Sequence, residues 1–200
     1  METIVIPELP SPLAWHNQPA GWSLSPQGEL TAIARAQTDW FVDPSGRPEA
    51  HSSAALLFQP GSPCLLSAHV TVNYNGLFDA GVLVLYQNPR LWAKLCLELS
   101  PLGRLMIVSV VTREFSDDCN SYLVDGKSAY LRIARLEKAF AFHASADGQA
   151  WNLIRHFNLG DTPDLRMGFM AQAPTGTGVT VTFSQIGYEA KLLGDIRSGK

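Results

Sequence analysis

The chain has 200 residues, 46% hydrophobic and only 16% charged, with a formal net charge of −3 at pH 7. Soluble domains carry roughly 25% charged residues, so solvated faces are scarce here, yet the apolar content excludes a disordered chain. The weak negative charge argues against nucleic acid or an anionic membrane as the principal partner.

Along the chain, Met1-Glu2-Thr3-Ile4-Val5-Ile6-Pro7 lacks the basic region and apolar core of a secretory leader. Residues 1–25 read as a Pro-rich N-terminal segment in which Trp15 and Trp22 can cap one rim. Strand-like runs then follow at Glu29–Arg35, Ala54–Gln59, Leu65–Tyr74, Gly81–Tyr86, Leu91–Leu99, Arg104–Thr112, Ala129–Arg135, Ala139–Ser145, Trp151–Phe157, Arg166–Ala173 and Val179–Ile186. Several alternate polar and apolar residues with period 2, as half-buried strands do. Asn75-Gly76, Asp125-Gly126 and Asp147-Gly148 are turn dipeptides, since Asn, Asp and Gly tolerate positive φ. The greasiest run, Ala80–Tyr86, is far shorter than the ~18 apolar residues of a membrane helix. The final segment, residues 189–200, reads as a short helix or a frayed tail. With no linker and no internal repeat, the chain reads as one domain over 1–200. Eleven strands without a sustained helical stripe predict an all-β fold, a two-sheet antiparallel jelly-roll sandwich.

Cys64, Cys96 and Cys119 are odd in number and have no C-x-x-C spacing, which argues against a disulfide framework or a zinc site and favours a reducing, cytoplasmic setting. His16, His51, His69 and His156 are scattered without paired-ligand spacing. An oxygen-rich D-x-D-x-D loop is missing, and Gly176-Thr177-Gly178 matches no phosphate-binding loop. No metal and no cofactor are expected.

Pairing the strands gives a candidate surface. If the hairpin at Ser100-Pro101-Leu102-Gly103 sets Leu99 opposite Arg104, then Trp92, Lys94, Cys96, Glu98, Ser109 and Arg113 share one side. Leu95, Leu97, Met106, Val108 and Val110 fall on the other, the core. In the next hairpin, Arg132 opposite His143 groups Tyr130, Arg132, His143 and Ser145. Were both hairpins in one sheet, its outer face would carry Trp92, Lys94, Glu98, Arg113, Tyr130, Arg132 and His143. Aromatic rings flanked by charged and amide groups suit a saccharide, whose C–H faces stack on rings while its hydroxyls need planar partners.

Several segments resemble a known family. They are Phe78-Asp79-Ala80-Gly81-Val82-Leu83-Val84, Leu91-Trp92-Ala93-Lys94-Leu95-Cys96-Leu97-Glu98, Ser109-Val110-Val111-Thr112, Tyr130-Leu131-Arg132-Ile133-Ala134-Arg135, Ser145-Ala146-Asp147-Gly148-Gln149-Ala150-Trp151 and Met167-Gly168-Phe169-Met170-Ala171-Gln172-Ala173-Pro174. Together, over about Trp40 to Ile186, they are similar to the DUF1349 family, named for a regulator of enolase. The segment Ser116-Asp117-Asp118-Cys119-Asn120-Ser121 departs from that family's pattern. The resemblance implies a concanavalin A-like jelly roll, the superfamily of legume lectins and many glucanases, and no assigned reaction.

Each candidate has a plainer alternative. Glu98 is an acid/base or a hydroxyl acceptor, or else an ion-pair partner of Lys94 or Arg113, worth ~0–1 kcal/mol. Trp92 is a stacking platform unless the register slips by one residue, which would turn it into the core. Arg132 and His143 grip an anion or hydroxyl, or form a solvated strand face. Cys96 is a reactive thiol beside Lys94 or an inert buried one. A glycosidase needs two carboxyls ~5–5.5 Å or ~6.5–9.5 Å apart. The Glu-x-Asp-x-x-Glu run of the superfamily's glucanases is missing, so a second carboxyl would have to come from Glu114, Asp117 or Asp118 on a loop. The expected function is a binding module for a saccharide or other polyhydroxylated small molecule on a concave sheet. The alternatives are a regulatory protein that binds a metabolic enzyme, and a carbohydrate-active enzyme using Glu98.

Overall fold

The computed structural model describes residues 3–200. In chain order its strands are β1 (Ala14–His16), β2 (Gly21–Leu24), β3 (Leu30–Arg35), β4 (Trp40–Phe41), β5 (Ala50–His51), β6 (Ala54–Phe58), β7 (Cys64–Asn73) and β8 (Ala80–Asn88). They continue with β9 (Leu91–Leu99), β10 (Leu105–Arg113), β11 (Phe115–Leu123), β12 (Ser128–Arg135), β13 (Phe140–Ser145), β14 (Asn152–Phe157), β15 (Arg166–Gln172) and β16 (Gly178–Glu189). Two seven-stranded sheets form, ordered β1-β6-β15-β8-β9-β10-β11 and β14-β13-β12-β7-β16-β3-β2, with β4 and β5 as a separate pair. Every strand pairing among the described residues is antiparallel. This is the expected jelly-roll sandwich. No helix among the described residues is long and apolar enough to cross a membrane.

All eleven predicted runs are strands, within a few residues at their ends. The five others escaped the sequence for physical reasons. Strands β1 and β2 come from the N-terminal segment and lie at opposite sheets' edges, where a half-exposed strand needs no apolar alternation. Trp15 and Trp22 meet there at 6.2 Å and pack on the core. At the other edge of the first sheet, β11 is exposed at almost every position and reads as polar chain. Strands β4 and β5 have two residues each, too few for any period.

Alternating residues from both sheets fill the space between them, among them Leu66, Val70, Leu83, Leu95, Ile107, Leu131, Phe142, Phe169 and Phe183. At Gly81 the sheets approach so closely that a Cβ would stand 2.5 Å from Val70 Cγ1 and 2.6 Å from Val181 Cγ1. The outer faces are not simply solvated either. Trp40, Val82, Val84, Tyr86, Trp92, Cys96, Val108, Val110 and Met170 form a second cluster outside the first sheet. Leu65, Ala134, Ala141 and Leu193 form a third outside the second sheet. Strands β8 and β9 are therefore buried on both sides, which accounts for much of the missing charge.

Residues 189–200 form neither a helix nor a frayed tail. Leu193 is buried, and Asp195 and Lys200 close a turn through reciprocal backbone hydrogen bonds. This strap lies over Arg132 and His143, which the sequence had placed on an open face. Arg132 Nη2 donates to Gly199 O at 2.8 Å, and His143 Nε2 meets Ile196 O at 2.7 Å. The guanidinium also lies 4.1 Å from the Trp151 ring centre. Both residues are buried, so neither the ligand grip nor the solvated face is realised. Burial lowers the His143 pKa, with Arg132 adding to the effect and the bond to Ile196 opposing it. Gly199 has φ +70°, and a Cβ there would stand 2.2 Å from Arg132 Nη2.

The strap yields a prediction. Gly199→Ala is expected to cost about 1–3 kcal/mol and to speed hydrogen exchange at the Asp195 and Lys200 amides. Because the folded state favours neutral His143, its contribution is complete above the unfolded pKa of 6.5 and is lost as pH falls below it. The same amides should thus exchange faster in mild acid, after correction for intrinsic rates, with the rest of the fold protected.

Candidate functional site

Strand β9 turns Trp92, Lys94, Cys96 and Glu98 to the outer face of the first sheet, as expected, but the neighbouring strand is shifted by one residue. Leu99 pairs with Leu105, not Arg104, so Lys94 faces Val110 and Glu98 faces Met106. The loop holds five residues: Ser100 N and Oγ both donate to Arg104 O. A one-residue slip exchanges every side chain between faces. Met106, Val108 and Val110 therefore join Lys94, while Ser109 and Arg113 belong to the opposite face of β10.

The second hairpin does pair as predicted, Arg132 with His143 and Tyr130 with Ser145. It belongs, however, to the other sheet. Tyr130 bonds Gln185 Oε1 at 3.1 Å and packs 4.5 Å from the His69 ring. The seven-residue surface expected on one face is thus divided, and Lys94 and Glu98 remain together without Arg113, Tyr130, Arg132 or His143.

Across the β9 face lies a flap, residues 39–53, containing β4 and β5. Trp40 is fully buried and covers Trp92 at 6.0 Å and Tyr86 at 5.1 Å between ring centres. Its Nε1 donates to Ser53 O at 3.0 Å. His51, 5.1 Å from Trp40, sets its ring against Trp92 beside it, at 6.2 Å. Trp92 is thereby fully buried and serves as the seat of the flap, not as an open stacking platform. Val42 is stitched to β11, its N–H donating to Ser116 Oγ and its carbonyl accepting from Ser116 N, both at 2.9 Å. Arg90 pairs with Glu49 on the outside.

Lys94 ties the flap to the sheet from beneath. Its ammonium donates to Asp39 Oδ1 at 3.0 Å, Trp40 O at 2.8 Å and Gln172 Oε1 at 2.9 Å. Three donors meet three acceptors, which a buried ammonium requires. Burial would lower its pKa, but Asp39 and the neighbouring acidic groups outweigh that and hold it above the usual lysine value. Gln172 is fixed in turn, its Nε2 donating to Phe78 O at 3.1 Å.

Beside this node lies a cavity of about 370 Å³, walled by Phe41, Asp43, Arg47, Pro48 and Ala50 of the flap, Phe78 at the rim, and Lys94, Glu98, Val110, Asp118 and Gln172 of the sheet. That volume falls within the usual range for small-molecule sites. Glu98 is half-buried in its wall, and burial, with smaller contributions from Asp118 and Asp39 against Lys94, pushes its pKa up to about 8. No hydrogen bond from a described residue stabilises its carboxylate, and it forms neither expected ion pair. Asp118 lies on β11 opposite Val110, on strand instead of loop; it is exposed, and partial desolvation of its carboxyl on the cavity side raises its pKa. Cys96 is fully buried, which pushes its thiol pKa well above the usual value; it is the inert alternative. Cys64, Cys96 and Cys119 are all free.

Asp39, Phe41, Phe78 and Gln172 were missed as site residues. Gln172 carried a signal, being one amide in the apolar run Met167–Ala173, and Lys94 within Leu91–Leu99 implied a buried acceptor. Which acceptor it was, and the arrival of a flap from fifty residues away, had no local signature.

A family model described as a protein of unknown function (DUF1349) matches residues 15–191. The chain is 27% identical over 180 residues to the Saccharomyces cerevisiae protein named Regulation of enolase protein 1, covering 89% of each. Among solved structures, a functionally unknown Saccharomyces cerevisiae protein superposes with TM-score 0.82 at 26% identity, covering 90% of this chain and 97% of that one. A glycoside hydrolase family 43 protein of Bacillus licheniformis superposes with TM-score 0.72 at 15% identity, over 90% of this chain and 37% of that one. The carbohydrate-binding module CBM66 of Bacillus subtilis gives TM-score 0.55 at 10% identity, over 88% and 94%. At such identities the two Bacillus likenesses establish a shared sandwich fold.

Two predictions concern the node and its neighbour. Lys94→Met leaves Asp39, Trp40 O and Gln172 without their donor and is expected to lower unfolding free energy by about 3–5 kcal/mol, read by denaturant titration. Glu98 has a folded pKa of about 8 against an ordinary 4.5, so its contribution is most favourable below 4.5 and becomes steadily less so up to 8. The thermal stability of Glu98→Gln relative to wild type should therefore improve between pH 5 and pH 8.

Proposed function

The chain belongs to the DUF1349 family, whose members are described as proteins of unknown function, and on that premise we propose that it is a cytoplasmic binding module. Its flap-covered cavity takes a saccharide or a similar polyhydroxylated molecule. The observation that carries this reading is Glu98: a carboxyl held protonated near neutrality, without a hydrogen-bond partner among the described residues, in the wall of a ligand-sized cavity. A neutral carboxyl offers one donor and an acceptor, the pairing a hydroxyl needs. Phe41 and Phe78 supply apolar surface for sugar C–H faces. Asp118 provides a second acceptor, and Lys94 acts as a positioning residue that fixes the flap and Gln172. The fold shared with a module named for carbohydrate binding supports the same reading.

The name of the yeast relative supports a second reading, a regulator that docks on a metabolic enzyme. Leu77 and Phe78, 42% and 37% exposed, offer apolar surface beside the cavity for such a contact. A third, a carbohydrate-active enzyme with Glu98 as its acid, draws on Glu98 and Asp118 lining one cavity.

Glycan-array screening followed by calorimetry separates these readings. Wild type should bind at least one glycan, and Phe41→Ala should weaken it about tenfold, the value of one aromatic contact of ~1.4 kcal/mol. Absence of glycan binding, or binding untouched by Phe41→Ala, would overturn the proposal. Turnover of a bound glycan that Glu98→Gln abolishes would favour the enzyme.

A further inference from the structure

We infer that the cavity selects its ligand by charge, taking neutral and especially amine-bearing polyols and rejecting anionic ones such as uronates and sugar phosphates. This rests on the saccharide reading and names the class of sugar within it.

An anion would need free donors, and the wall holds few. Lys94 is the cation of the floor, but each of its three N–H groups already serves Asp39, Trp40 O or Gln172. An ammonium has no fourth donor. Turning it towards a ligand would strip the flap of its anchor. One of the two Gln172 amide N–H groups is engaged by Phe78 O, on a side chain that is itself buried. Arg47 stands at the rim with its side chain 82% exposed, its Nε 3.6 Å from Asp43. Its charge is screened by water and answered by that carboxylate.

Acceptors, in contrast, are available. Glu98 lines the cavity without a hydrogen-bond partner among the described residues, and Asp118 lines the same wall two strands away. On the flap, Asp39 and Asp43 are already answered by Lys94 and Arg47, which leaves Glu98 and Asp118 as the carboxyls of the wall without an ion-pair partner among the described residues. A uronate or phosphate placed here meets the Asp118 carboxyl while both cations of the wall are already paired, the arrangement by which sites reject a wrong partner. An ammonium beside Glu98 or Asp118 finds a charge-assisted acceptor instead.

Binding of that ammonium is coupled to a proton. The titratable groups that act on Glu98 are Lys94 and Cys96 from its own strand, Asp118 from β11 and Asp39 from the flap, while Asp43 and Arg47 of the flap line the same cavity. Cys96 stays a neutral thiol. Glu98 is protonated in the free protein until about pH 8, so an entering ammonium converts it to carboxylate and its proton passes to solvent. Affinity for the amine therefore rises with pH up to that value, while affinity for the neutral sugar does not gain from it.

The test is calorimetry with matched probes: glucose, glucosamine and glucuronate; galactose, galactosamine and galacturonate; and cyclohexylamine, an amine without hydroxyls. In at least one hexose set the amine should bind about tenfold tighter than the neutral sugar, the acid should not bind, and the amine's advantage should grow from pH 6 to pH 7.5. Glu98→Gln and, separately, Asp118→Asn, each checked for an unchanged melting transition, should shrink that advantage, and Glu98→Gln should remove its pH dependence. A neutral hexose bound with its acid equal or tighter overturns the charge selection and leaves the saccharide reading standing. Cyclohexylamine bound with every hexose silent overturns the saccharide reading and leaves the charge selection. Silence from all seven probes overturns both.

Discussion

A buried ammonium with three acceptors holds the flap-covered end of this molecule together. Lys94 rises from the centre of the first sheet and meets Asp39 and the Trp40 carbonyl on the flap and Gln172 on β15. An isolated charge in such a place would cost several kcal/mol, so it persists only because each donor has a partner. The flap's position, the closure of Trp92 and the shape of the cavity all follow from satisfying that one group.

The flap also explains how a chain with so few charges remains ordered. An antiparallel sheet ordinarily leaves one face to water and shows it as polar alternation. Here the flap covers part of one outer face and the C-terminal strap part of the other, so three apolar clusters replace one. The charges that remain inside are committed to contacts: Lys94 to the flap, Arg132 to the strap. Glu98 is the exception. It is a carboxyl in the wall of a cavity whose burial opposes ionisation, a local disagreement of the kind that marks functional sites.

Strand positions were legible because alternation and turn residues are local. Leu91–Leu99 could be read as a strand without knowing its neighbours, and so could the pairing of Arg132 with His143, since a short connection leaves few registers. The hairpin at Ser100 was misread by one residue because Ser100 grips Arg104 and lengthens the loop to five. That single residue turned Ser109 and Arg113 away from Lys94. Asp118, weighed as a loop residue, sits on an edge strand whose polar sequence hid its regularity.

The sequence by itself determined the sandwich, eleven of its strands and the placement of Lys94 and Glu98 on one face of β9, because period-2 burial and a charge within an apolar run are written in adjacent residues. Tertiary structure alone decided which hairpins share a sheet, what covers each outer face and which acceptors receive Lys94. Those outcomes depend on contacts between segments fifty or more residues apart, such as Asp39 with Lys94 or Arg132 with Gly199. They are settled by which surfaces fit when the chain closes on itself, and no local pattern records them.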